Sequence, residues 1–211
     1  MLTIQTFIAP PLETNCYLVA DCEAGEALLI DAPWQIAARV QEAADARWVA
    51  IGQIICTHGH WDHMMGHEEL IDATGARIGC HAMDAFMLEH PSFAPFTFPF
   101  TVKPVKPDFL LHDGDTVALG NHLLTVMHTP GHTPGGICLY AEADGVVFTG
   151  DTLFAGSYGR LDLPGGDPEQ MVQSLLRLSQ LPAATRVMPG HGPETTIGHE
   201  KWLAYAEEVE W

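Results

Sequence analysis

Apolar positions along this chain recur with two different periods, and the switches between them mark out the elements. Strand-like apolar runs occupy residues 2–8, 16–20 and 27–30. They lead into residues 35–46, where Ile36, Val40 and Ala43 recur at helical spacing. A second cycle opens with a strand over 51–56, then a short helix over 68–73, a strand over 77–80 and a helix over 84–89. Residues 119–127, 136–140 and 146–149 read as successive strands of a second sheet, with Asp144-Gly145 as a hairpin turn. Asp167-Pro168-Glu169 predicts a helix start, because Asp accepts free N–H groups and Pro fits the first turn; that helix runs to Leu178. A strand over 185–188 and a helix over 199–209 close the pattern, which is of the α/β class. Residues 91–107 break it: Pro91, Pro95, Pro99, Pro104 and Pro107 exclude a regular helix. Phe93, Phe96, Phe98 and Phe100 stand between them and either pack on the core or wall a substrate pocket.

At 211 residues and 47% hydrophobic, the chain suits one domain spanning residues 1–211, with no Ser/Gly linker or compositional break. Residues 1–7 carry neither a basic segment nor a long apolar run, so neither a signal peptide nor a transmembrane helix is predicted and a cytoplasmic location is the default. Five cysteines, Cys16, Cys22, Cys56, Cys80 and Cys138, form no CxxC pair and read as reduced structural thiols. The formal charge is −18, from 27 acidic and 9 basic residues. Such a surface repels phosphate backbones, and the only neighbouring basic residues are Lys103 and Lys106, so nucleic acid is excluded as a partner. Oligomeric state leaves no trace in the sequence.

The candidate chemistry lies in His58-Gly59-His60-Trp61-Asp62-His63, which places four metal-ligand side chains within six positions just after an apolar strand. A strand ending in a turn points His58 and His60 one way and Asp62 and His63 another, so one loop can serve two metal ions about 3.5 to 4 Å apart. Three more candidates follow apolar runs and sit beside Gly or Pro: His132, Asp151 and His191. Of the 12 histidines these are five; His67, His81, His90, His112, His122, His128 and His199 read as surface or hydrogen-bonded residues. His128 has a role as an outer partner of His132 as its alternative. Cys56 reads as a packing residue rather than a ligand.

The run HxHxDH followed by a His, an Asp and a last His resembles the metallo-β-lactamase superfamily, and within it the single-domain glyoxalase II-like hydrolases. The similarity is densest in Gly150-Asp151-Thr152-Leu153-Phe154 and in the segment from Gly159-Arg160 to Gly166-Asp167. The resemblance implies a four-layer αββα sandwich. It also implies that His58, His60 and His132 hold one metal, that Asp62, His63 and His191 hold a second, and that Asp151 bridges them. Two divalent ions are the implied cofactors, with zinc the default and iron or manganese compatible with a ligand set that lacks thiolate.

The implied activity is hydrolysis of a small-molecule thioester, in the manner of hydroxyacylglutathione hydrolase. A water shared by two cations has its pKa lowered toward about 7, so no Ser or Cys nucleophile is required, and Asp62 is placed to orient that water. Many β-lactamases of the superfamily carry Cys or Ser where this chain has Asp151, and many lack a His after the motif Asp. The alternatives are a persulfide dioxygenase with a single iron on His58, His132 and Asp151, and a lactone hydrolase. Full-length glyoxalase II enzymes add a helical extension with basic residues for glutathione, which this sequence does not match. Arg160 and Lys201 are the basic candidates for the mouth of the site, with Arg160 the substrate-contact candidate.

Overall fold

The computed structural model describes residues 1–91 and 101–208. Two six-stranded mixed sheets lie at its centre. The first is built, in spatial order, from β1 (Thr3–Ala9), β2 (Thr14–Asp21), β3 (Glu26–Ile30), β4 (Ala50–Ile55), β5 (Arg77–His81) and β6 (Phe109–Leu111). The second runs β12 (Thr195–Thr196), β11 (Arg186–Pro189), β10 (Val146–Gly150), β9 (Ile137–Ala141), β8 (His122–His128) and β7 (Thr116–Leu119). Helices α1 (Ala37–Asp45), α2 (His67–Thr74) and α3 (Ala85–Glu89) return the chain between strands of the first sheet, and α4 (Pro168–Ser179) links β10 to its parallel neighbour β11.

Three apolar layers hold these elements together, and strand alternation assigns residues to them. In β2 every residue is buried. Leu18 points to the layer under the helices, where it joins Val40, Leu70 and Leu88. Its neighbours Tyr17 and Val19 point the other way and meet Val126, Leu139 and Phe148 of the second sheet. Behind that sheet, Val147 and Val187 pack on Met171, Leu175 and Leu178 of α4. The result is helix, sheet, sheet, helix, as expected from the resemblance. Helix α4 starts as predicted: the Asp167 side chain accepts from the Gln170 N–H at 3.0 Å and Pro168 fills the first turn.

Four elements differ from the sequence pattern. The apolar run over 119–127 is not one strand, because Gly120 takes φ +54° and turns the chain between β7 and β8, while Asn121 donates from both its nitrogens to Asp21. Strands β6 and β12 are only three and two residues long, too short for a period to register. The chain end predicted as helix 199–209 forms 3-10 turns over Lys201–Glu208, kinked at Tyr205. Of the proline-rich stretch, Val102 and Val105 pack on the first core layer, whereas Phe93, Phe96, Phe98 and Phe100 lie outside the described residues. No helix among the described residues is long and apolar enough to cross a membrane.

Leu175 is 0% exposed between α4 and the second sheet, whereas Leu123 is 61% exposed on β8. Chemical denaturation should show Leu175→Ala costing about 2–5 kcal/mol and Leu123→Ala no more than about 0.5 kcal/mol. Equal losses at the two positions would contradict this layering.

Candidate metal centre

All seven predicted ligands leave the C-terminal ends of strands and meet on one rim. His58, His60, Asp62 and His63 follow β4, His132 follows β8, Asp151 follows β10 and His191 follows β11. Close approach of the two sheets demands glycine at two of these corners. Gly150 interrupts the β10 register with φ +47°, and a Cβ there would lie 2.5 Å from Thr57 Oγ1. A Cβ at Gly190 would overlap the Asp151 carboxylate.

Donor atoms gather into overlapping groups whose members lie within 4.8 Å of one another: His58, His60 and His132; His58, His63 and Asp151; Asp62, His63 and His191. Asp151 faces both sides of the cluster. Its Oδ1 is 3.4 Å from His63 Nε2, and its Oδ2 is 3.4 Å from His132 Nε2 and 3.6 Å from His191 Nε2. Asp62 Oδ2 lies 3.3 Å from His191 Nε2 and 3.5 Å from His63 Nε2, and accepts from Thr14 Oγ1 at 3.0 Å.

Outer partners fix which ring nitrogen carries the lone pair. His63 Nδ1 donates to Asp31 at 2.8 Å, His132 Nδ1 to the Arg160 carbonyl at 2.7 Å and His191 Nδ1 to the Leu12 carbonyl at 3.1 Å. Thr57 Oγ1 gives its one proton to Asp31, so it accepts from His58 Nδ1 at 3.1 Å. All four Nε2 atoms then point into the cluster. His63 Nε2 and His191 Nε2 face each other at 3.2 Å, and His60 Nδ1 lies 2.8 Å from His132 Nε2. His58 Nε2 and Asp151 Oδ1 are buried without a hydrogen-bond partner. These two orphaned atoms lie among other ring nitrogens and carboxylates, where a cation would give them the partner they lack, so the donor set fits a metal site.

Protonation states follow the same geometry. Burial, and then the neighbouring histidines, hold His58 well below the usual imidazole range, and burial followed by His132 pushes His60 down to about 3. Burial also disfavours charge on His63, but the carboxylates of Asp151, Asp62 and Asp31 outweigh it and raise the ring to about 10. For Asp62 burial would raise the carboxyl, yet His63, His191 and Thr14 hold it below the usual carboxylate range.

Above the cluster opens a cleft of about 1050 Å³ floored by His60, Asp62, His132, Asp151 and His191. Arg160 lines it, with Nε and Nη2 bonded to Asp162 at 2.7 and 2.6 Å; Lys201 is not among the lining residues described. Pro91 also lines the cleft.

Among the remaining histidines, His128 Nε2 donates to the Pro134 carbonyl at 2.8 Å and its ring stacks on His81 with centroids 4.0 Å apart, while the outer partner of His132 is the Arg160 carbonyl. His122 pairs with Asp144, and His199 is exposed. His67 is buried with neither ring nitrogen hydrogen-bonded, and burial pushes it down to about 3. Cys56 sits in the core and donates to the His58 carbonyl at 2.8 Å, and all five thiols are free.

Sequence reasoning missed several residues that shape the site. Asp31 and Thr57 hold His58 and His63, and Thr14 holds Asp62. Buried Asp84 accepts from the Gly59 N–H, the Thr133 hydroxyl and the Gly135 N–H, tying the first ligand loop to the His132 loop. An acidic residue at the end of a strand, as at Asp31, was the one available signal.

The description "Metallo-beta-lactamase superfamily" belongs to the family model that matches residues 9–191. A hydroxyacylglutathione hydrolase of Maricaulis maris is 37% identical over 191 residues, which cover 90% of this chain and 66% of that protein. The BLEG-1 B3 metallo-beta-lactamase superposes with a TM-score of 0.85 at 30% identity, covering 96% of this chain and all of that one, 100%. TTHA1623 in a di-iron-bound form gives a TM-score of 0.79 at 35% identity, covering 93% and 96% of the two chains. Sequence match, layer order and ligand rim agree, and the chain belongs to the metallo-β-lactamase superfamily.

Proposed function

We propose that this protein is a metal-dependent hydrolase of thioesters, similar in chemistry to hydroxyacylglutathione hydrolase. The observation that carries the reading is the inward convergence of seven N and O donors, with Asp151 facing both halves of the cluster. His58, His60 and His132 would hold one divalent ion, and Asp62, His63 and His191 a second, with Asp151 shared; zinc is the default, and iron or manganese suits the same donors. When bound, such a pair supplies Lewis acidity and a water whose pKa lies near about 7.

The chain's own residues supply positioning. Asp62, kept ionised and anchored by Thr14, lies in the cleft floor, where it can accept a hydrogen bond from an attacking water and orient it. Asp31, Leu12 and Arg160 hold three imidazoles in one tautomer, so no reorganisation is needed as charge develops on the substrate carbonyl. Thiolate departure asks little of a general acid, since a thiol has a pKa near about 8.5. Arg160 is proposed as a substrate contact by its place in the cleft wall. The same donor set would also serve a mononuclear dioxygenase, and it is the hydrolase-like segments Thr152-Leu153-Phe154 and Pro164-Gly165-Gly166 that favour this reading.

One side chain serving two ions makes Asp151→Ala diagnostic. Elemental analysis should find up to two transition-metal ions per wild-type chain and loss of most of both in the variant; retention of two would refute the shared position.

Reaction class is tested by offering metal-loaded protein S-D-lactoylglutathione and simpler acyl thioesters in an oxygen electrode. Thioester cleavage without oxygen uptake is expected, and Asp62→Ala should slow it by on the order of a hundredfold or more. Oxygen consumption with glutathione persulfide and no thioester turnover would establish the dioxygenase chemistry instead.

A further inference from the structure

Of the nine Lys and Arg residues in the chain, Arg160 is the only one lining the cleft among the described residues. Its guanidinium is already engaged in two parallel hydrogen bonds to Asp162, which occupy two of its donors and set a carboxylate beside it. Other cations point elsewhere: Lys103 pairs with Glu68, Arg177 with Asp113 and Arg186 with Glu194. The surrounding net charge of −18 adds a repulsive field for any anion. By contrast the walls are apolar. Leu12, Met83 and Phe86 are exposed at 53%, 58% and 52%, and all three line this cleft together with Met87, Phe154 and Leu163. Phe154 stands edge-on to His191 with centroids 6.0 Å apart, so the apolar wall descends to the ligand floor. Large apolar side chains gathered beside a polar floor mark a binding site for an apolar group, and methionines adapt to an unbranched chain.

We propose that the cleft selects uncharged carbonyl substrates bearing an apolar chain, which on the hydrolase reading above are medium-chain acyl thioesters of an uncharged thiol, over anionic glutathione thioesters. The proposal rests on that reading for the reacting bond alone; the choice of side group follows from the walls. Each methylene transferred from water into the cleft strengthens binding by up to about fourfold.

Two measurements test it together. Rates are taken with acetyl, butyryl, hexanoyl and octanoyl thioesters of N-acetylcysteamine and with lactoylglutathione. Calorimetry is run in parallel with the methyl and octyl thioethers of N-acetylcysteamine and of glutathione, which have no bond to hydrolyse. Expected are a rise of at least about tenfold in kcat/KM from acetyl to octanoyl, and octyl thioether binding at least about tenfold tighter than methyl. Met83→Lys, at an exposed position, should shrink the octyl advantage and tighten binding of S-methylglutathione. Thioester hydrolysis with flat chain-length dependence, or S-methylglutathione binding more tightly than the octyl thioether of N-acetylcysteamine, would overturn the proposal while leaving the hydrolase reading intact. Tight octyl thioether binding without turnover of any thioester would sustain the apolar cleft and overturn the chemistry.

Discussion

Three hydrogen bonds converge on the buried Asp31 carboxylate, and the geometry of the ligand cluster depends on them. Asp31 directly follows β3 and accepts from the Thr57 N–H, the Thr57 hydroxyl and His63 Nδ1, each at 2.8 Å. It thereby locks the turn after β4 to the neighbouring strand and sets the tautomers of two ligands, His63 directly and His58 through the Thr57 hydroxyl. Its own backbone lies at φ +57°, in the left-handed region that Asp tolerates better than most residues but that still carries a cost of about 1–2 kcal/mol. That cost is borne because the strained corner turns the carboxylate back under the ligand loop.

The two sheets make the same compromise from opposite sides. Their facing layers are apolar and buried, which fixes the strand ends rigidly. At the rim the chain then does what a core forbids, bringing the donor atoms of five imidazoles and two carboxylates together. Gly150 and Gly190 permit the approach because no side chain is needed where Thr57, Asp151 and their neighbours meet. Asp84 performs the corresponding task between the first ligand loop and the His132 loop, accepting three hydrogen bonds while buried. Burial raises its carboxyl pKa even so, with those donors pulling the other way. The site is thus held by carboxylates and carbonyls one step behind the ligands, in agreement with the general need of metal-binding imidazoles for oriented partners.

What the sequence made legible was whatever is local. The HxHxDH run is contiguous, and His132, Asp151 and His191 each follow a recognisable apolar strand, so the rim could be assembled from spacing and resemblance. The partners at Leu12 and Arg160 act through backbone carbonyls, which no side-chain pattern encodes. Strands β6 and β12 are edge strands of a few residues and owe their existence to pairing. The turn at Gly120-Asn121 was hidden inside an apolar run because its anchor, Asp21, lies about a hundred residues away, at |i−j| = 100. The character of the cleft was equally non-local: the Arg160–Asp162 pair is local in sequence, but only the fold brings it into one cleft with Leu12, Met83 and Phe86.

The central claim is that one preformed rim holds two cations with a shared carboxylate. Anomalous diffraction from crystals of the metal-loaded protein, collected at the absorption edge of the bound element, tests it most directly. The account predicts two peaks, one among His58, His60 and His132 and one among Asp62, His63 and His191, both in contact with Asp151. A single fully occupied peak, with Asp62, His63 and His191 taking no part in coordination, would contradict it.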